Sequence, residues 1–161
     1  MLIRNYGLFW NRENVEWGGQ GRGNNGRLCG RVSRRGGLIN FRNQQGVYVL
    51  YDETFKIIYV GQAGSGNNRL FSRLRQHKVD HLSQRWSRFS WFGILPVIGD
   101  GVAENHKTLN IEVGSILDHI EAILLAAAEP PLNLQRGRFG NDVTQSLQHS
   151  PEVLAEGEED E

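Results

Sequence analysis

Alternating apolar and polar positions give way twice along the chain to the three-to-four spacing of an amphipathic helix. The stretch GVYVLYDETFKIIYVG, residues 46–61, predicts a β-hairpin. Val47, Val49, Ile58 and Val60 are β-branched, as a buried sheet face prefers, and Asp52-Glu53-Thr54-Phe55 fits a four-residue loop. That loop sets Tyr48 directly opposite Tyr59, with a glycine within two residues of each. AGSGNN is a loop by composition. RLFSRLRQHKVDHLSQRW, residues 69–86, then carries Leu70, Phe71, Leu74 and His77 or Lys78 at helical spacing and predicts an amphipathic helix. FSWFGILPV (89–97) predicts a third strand. IEVGSILDHIEAILLAAA (111–128) gives the strongest helix pattern and stops before Pro130-Pro131.

On that last helix Ile116, Leu117, Ile120, Ile123, Leu124 and Ala127 trace an apolar stripe. Glu121 has Leu117 four residues before it and Leu124 and Leu125 three and four after, so it sits beside or within the stripe. Burying an ionised carboxylate without a partner costs several kcal/mol. Either an arginine or a metal meets Glu121, or it lies at the edge of the stripe and reaches water.

Composition narrows the setting. The chain of 161 residues suffices for one domain with a real core. No run approaches the ~18 apolar residues of a membrane span. Arg4, Arg12 and two glutamates interrupt the N-terminal stretch, which does not read as a signal peptide, and a cytoplasmic location is expected. The single cysteine, Cys29, rules out an internal disulfide and a cysteine-rich zinc site.

The net charge of zero hides an asymmetry. Trp17 to Tyr51 holds six arginines and no acid, whereas Asp142 to Glu161 holds seven acids and no Lys or Arg. A basic arm and an acidic tail suggest a polyanion partner and an internal competitor for it. Residues 18–37, with eight glycines and five arginines, read as a flexible basic linker or as an arm that orders on phosphates. Leu8, Phe9, Trp10 and Trp17 could anchor the N-terminal end on the domain or on a partner.

Taken together, the hairpin, the basic helix and Glu121 resemble the GIY-YIG nuclease family. Gly46-Val47-Tyr48 matches its first motif and Tyr59-Val60-Gly61 its second, with valine in place of both isoleucines. Arg73 and His77 in RLRQH look like the family's helix arginine and its histidine companion. Arg69 is the competing match, and Arg73 is preferred because His77 falls one helical turn later. Glu121 looks like the metal-binding glutamate and Asn133 in PPLN like the late asparagine. The resemblance covers about residues 45–135.

The resemblance implies an α+β (α/β-type) fold, a three-stranded antiparallel sheet flanked by helices. With the composition of the flanking segments, the expected organisation is an N-terminal extension with a Gly/Arg-rich arm (1–44), a nuclease domain (45–140) and an acidic, aromatic-poor tail (141–161) expected to be disordered. It also implies hydrolysis of DNA phosphodiester bonds with one divalent ion, Mg²⁺ or alternatively Mn²⁺, held by Glu121. Tyr48 would be the general base, assisted by Tyr59. Arg73 would grip the non-bridging oxygens, His77 would hydrogen-bond a tyrosine or the phosphate, and Asn133 would orient a phosphate or fix a loop. A phenol with a pKa of ~10 is a poor base at neutral pH unless positive charge favours its anion, and the basic helix offers that charge.

Arg69, Arg75, Lys78, Arg85 and Arg88 would supply sequence-independent phosphate contacts, and Trp86 could stack on an unpaired base. No membrane is expected as partner, and a protein partner could be reached through the N-terminal extension or the tail. Short extensions lean toward restriction or anti-phage defence, by analogy. The other reading is a non-catalytic module that binds nucleic acid or protein.

Overall fold

A computed structural model describes residues 2–19, 23, 25–104, 113–129 and 139–150. The hairpin consists of β4 (Gly46–Tyr51) and β5 (Ile57–Ala63). Its register differs by two residues from the expected one, since Tyr48 faces Gly61 and Leu50 faces Tyr59. The turn is longer than a four-residue loop because Asp52 organises it. Its Oδ1 accepts from the Thr54 and Lys56 amides at 2.8 and 3.0 Å, and a bulge lies between Leu50 and Tyr51. A shift of two keeps every side chain on its original face.

The expected three-stranded sheet flanked by helices is not what forms. Among the described residues there are ten strands in three sheets and two α-helices. Strands β4 and β5 and the strand β6 (Arg88–Gly93) lie side by side, but their sheet has five strands in the order β5-β4-β6-β1-β9. Strand β1 (Asn5–Asn11) comes from the segment read as an extension, and β9 (Thr144–Gln145) from the segment read as a disordered tail. The sequence pattern conceals β1 for a physical reason. Gly7 pairs with Trp91 and Trp10 with Phe89, so β1 carries one extra residue and its period of two breaks there, at Phe9 with φ +52°.

The basic segment also contributes strands. A second sheet joins β10 (Leu147–Gln148), β2 (Cys29–Arg31) and β3 (Ile39–Asn40). A third is the short pair β7 (Val97–Ile98) and β8 (Gly101–Val102). Residues 151–161, the rest of the acidic segment, lie outside the described residues.

Alternation along the large sheet sorts its side chains into two cores. Trp10, Tyr48, Leu50, Phe89 and Trp91 point to one face, where Ile39 of the second sheet, Leu28 and Phe41 at the ends of its strands, and Leu70, Phe71 and Leu74 of α1 (Leu70–Gln76) cover them. Val49, Tyr51 and Phe92 point to the other face, with Ile3, Phe139 and Ala122 and Ala127 of α2 (Val113–Ala128).

Both helices depart from their sequence reading. The first ends at Gln76, and the chain from His77 onward runs in turns whose amides reach back three residues, Lys78 to Arg75 and Val79 to Gln76. On α2 the buried residues are His119, Ala122 and Ala127, while Leu117, Ile120 and Leu124 of the expected stripe are exposed, Leu124 at 62%. Small residues allow this helix a close approach that leucines would prevent, close enough for the Tyr51 hydroxyl to donate to the Ala127 carbonyl at 2.7 Å. Among the described residues no helix is long and apolar enough to cross a membrane.

Candidate active site

Glycine at position 61 determines how the two tyrosines meet. It faces Tyr48 across the hairpin, and a Cβ there would collide with the Tyr48 hydroxyl and the Tyr59 ring. Its absence lets the Tyr48 phenol lie across β5. Tyr59 is therefore the diagonal neighbour of Tyr48 rather than its opposite, with ring centroids 6.1 Å apart.

The 64–69 loop then sends the chain into α1, where Leu70, Phe71 and Leu74 bury one side and carry Arg73 and His77 toward the tyrosines. His77 is 2% exposed. Its Nε2 lies 2.8 Å from the Tyr48 hydroxyl, and its ring stands edge-on to Tyr59 with centroids 4.8 Å apart. On the other side of the ring, Nδ1 is 2.7 Å from Oδ2 of Asp80. The second Asp80 oxygen accepts from the Leu82 amide at 2.8 Å.

The Arg73 guanidinium donates to Gln76 Oε1 at 2.8 Å, while its buried Nε has no partner among the described residues. Tyr48 and then Tyr59 raise the Arg73 pKa above its ordinary value against the opposing effect of burial. The proximity acts both ways. Burial pushes the Tyr48 phenol up to about 12, although Arg73 pulls it down. Arg73 favours the phenolate, as expected of nearby positive charge, but desolvation outweighs it and the phenol stays neutral. Burial works against the Asp80 carboxylate, yet the Leu82 amide and His77 hold it below its ordinary value.

The structure brings Tyr48, Tyr59, Arg73 and His77 together. Arg69 is directed elsewhere, for its guanidinium donates to the carbonyls of Gly66 and Asn68 at 2.9 and 3.0 Å and braces the loop. Glu121 stands apart from this group in the layering of the fold. It is exposed on α2, whose buried side packs on the sheet face opposite Tyr48. Asn133 lies outside the described residues.

Comparison of the chain with protein-family profiles, with curated proteins and with solved structures gives no match.

The cations divide by environment. Arg75 and Arg85 are exposed, and Arg75 lies 5.5 Å over the Phe71 ring. Lys78 stands 4.5 Å over Trp17 and Arg88 4.9 Å over Phe55. Trp86 cannot take the stacking role expected of it. It is 3% exposed, its Nε1 donates to the His77 carbonyl at 3.0 Å, and Arg12 covers its ring at 4.6 Å. Sequence reasoning also passed over Asp80, whose one local sign was its place three residues after His77.

Proposed function

We propose that the protein is a metal-dependent endonuclease that hydrolyses DNA phosphodiester bonds in the manner of the GIY-YIG nucleases, in restriction or anti-phage defence. The observation that supports this most is the convergence of Tyr48, Tyr59, His77 and an Arg73 guanidinium whose buried Nε has no partner among the described residues. An unpaired donor beside two phenols suits a phosphate oxygen, because a guanidinium fork matches phosphate geometry.

In this reading Arg73 holds the non-bridging oxygens and Tyr59 helps to place the attacking water. As the water oxygen bonds to phosphorus, its proton passes to the Tyr48 oxygen and the Tyr48 proton passes to His77 Nε2. This double transfer suits a phenol held at about 12, because Tyr48 never has to stand as a free phenolate. The P–O ester bond breaks, the leaving oxygen takes a proton from solvent, and His77 later returns one to solvent. Exposed Arg75 and Arg85, with Lys78 and Arg88, contribute phosphate contacts that carry no sequence information.

A divalent ion, Mg²⁺ or Mn²⁺, would add Lewis-acid stabilisation of the leaving oxygen. This reading assigns that ion to Glu121, an exposed carboxylate with no cluster of further His, Cys, Asp or Glu ligands among the described residues. Its helix packs on the other face of the sheet from Tyr48, so no step above is routed through the metal.

One observation favours a second reading, a non-catalytic module binding nucleic acid or protein: the buried Tyr48 is held protonated, which a purely structural phenol would share. Incubating the purified protein with labelled duplex, single-stranded and branched DNA, with Mg²⁺ or with EDTA, separates the two. Mapped cuts that need Mg²⁺ support the nuclease. Retarded but intact DNA under both conditions supports the module.

A further inference from the structure

We propose that Asp80 is a positioning residue of this site: its carboxylate holds the His77 ring in the Nδ1–H tautomer and leaves Nε2 as the lone-pair acceptor for the Tyr48 hydroxyl proton. The consequence for rate rests on the nuclease reading, whereas the tautomer does not.

Hydrogen accounting carries the argument. An ionised carboxylate has no hydrogen to give, so the 2.7 Å contact between His77 Nδ1 and Asp80 Oδ2 requires the hydrogen on Nδ1. A neutral ring with Nδ1–H has a bare Nε2, and the neighbour at 2.8 Å is a hydroxyl with a hydrogen of its own. The resting bond therefore runs from Tyr48 O–H to Nε2. When Nε2 takes that proton, the ring becomes an imidazolium whose charge faces the Asp80 carboxylate.

Three further contacts keep the ring in place. Leu82 N–H ties the other Asp80 oxygen at 2.8 Å. The His77 amide donates to the Arg73 carbonyl at 3.2 Å, and Trp86 Nε1 donates to the His77 carbonyl at 3.0 Å. The groups facing the dyad are Tyr48 from β4, Tyr59 from β5, Arg73 from α1 and His81 beside Asp80. None of these facing groups is a carboxylate, so among these residues Asp80 alone supplies one to the ring.

Asp80→Asn tests the proposal because it keeps the shape and reverses the hydrogen pattern. An asparagine oxygen can still accept from Leu82 N–H, and its amide group then presents N–H to His77 Nδ1. The ring is driven to the Nε2–H tautomer, and the Tyr48 proton loses its acceptor. The full chain with ¹⁵N-labelled histidine, read by NMR, should show protonated Nδ1 and bare Nε2 at His77 in the native protein and the reverse in the variant. In Mg²⁺-dependent cleavage kcat should fall by about 10²- to 10⁴-fold with KM within about twofold, as expected of a wrong tautomer in an otherwise intact site.

A thermal melt and the NMR spectrum itself report whether the variant is folded. Should it fail to fold, the tautomer of the native protein decides. Nε2–H at neutral His77 in the native protein would overturn the proposal. So would a folded variant that keeps Nδ1–H, or one that inverts the tautomer and cleaves at the native kcat. If the native protein cuts no DNA, the nuclease reading falls by itself, and the two tautomers still decide whether Asp80 sets the ring.

Discussion

Gly61→Ala is a one-methyl change whose cost can be worked out from the hairpin. A Cβ at position 61 would overlap the Tyr48 hydroxyl and the Tyr59 ring. Movement of a flexible side chain would relieve such an overlap cheaply, but Tyr48 is fully buried and its hydroxyl is tied to His77 at 2.8 Å. Two terms follow. Forcing a methyl into a packed site costs about 1–3 kcal/mol. Displacing the phenol breaks a buried hydrogen bond and leaves both partners unsatisfied, which costs about 1–3 kcal/mol.

The expected loss is therefore about 2–6 kcal/mol, a large fraction of the ~5–15 kcal/mol that holds a domain folded. Urea denaturation followed by tryptophan fluorescence should show the midpoint fall at constant slope. The His77 imidazole resonances should shift in NMR as its hydroxyl partner leaves. A midpoint within about 0.5 kcal/mol of the native protein, with unchanged His77 signals, would refute the assignment of Gly61 as the space for Tyr48.

Other perturbations separate the remaining residues. Glu121→Gln removes a charge from an exposed side chain, so stability should stay within about 0.5 kcal/mol; loss of Mg²⁺-dependent cleavage would support a metal at Glu121, and cleavage at the native rate would remove it from the metal site. Arg73→Ala should lower kcat by about 10²- to 10³-fold, the scale of a lost transition-state donor. Arg69→Ala should instead loosen the loop it braces at about 1 kcal/mol and leave kcat within severalfold, and the opposite pattern in steady-state kinetics would exchange the two roles. In alkali, Tyr48 is raised from 10.0 to about 12. Below pH 10 its contribution to stability is complete, and it is lost as pH climbs to about 12, because the unfolded phenol ionises first. Tyr48→Phe should lessen the fall of stability over that window in denaturant titrations, with the half-buried Tyr6 and buried Tyr51 phenols, also raised, sustaining the remainder; an unchanged slope there would mean that Tyr48 is not held neutral.

Local periodicity sufficed to find the two hairpin strands and the helix ending at Ala128, because period and turn chemistry are properties of neighbouring residues; the strand expected over 89–97 is found too but ends at Gly93, with Val97–Ile98 in a separate pair. The common face of Tyr48 and Tyr59 was legible even with the register wrong, since a slip of two residues preserves the face. The four-residue spacing of Arg73 and His77 likewise survived a helix that proved much shorter than expected.

What the tertiary structure alone decided lay in contacts between distant segments. Strand β1 is masked by its bulge and exists through pairing with β6 some eighty residues later. The face that α2 buries was set by close approach through Ala122 and Ala127, with Ile123 beside them, so that only part of the expected stripe meets the core and Leu117, Ile120, Leu124 and Glu121 are left exposed. Trp86 became core because Arg12 and the His77 carbonyl meet it. Asp80 gained its place beside His77 only when α1 ended and the chain turned back on itself. Hydrophobic period records which residues prefer burial, whereas the partner and the distance of approach depend on shapes brought together from across the chain.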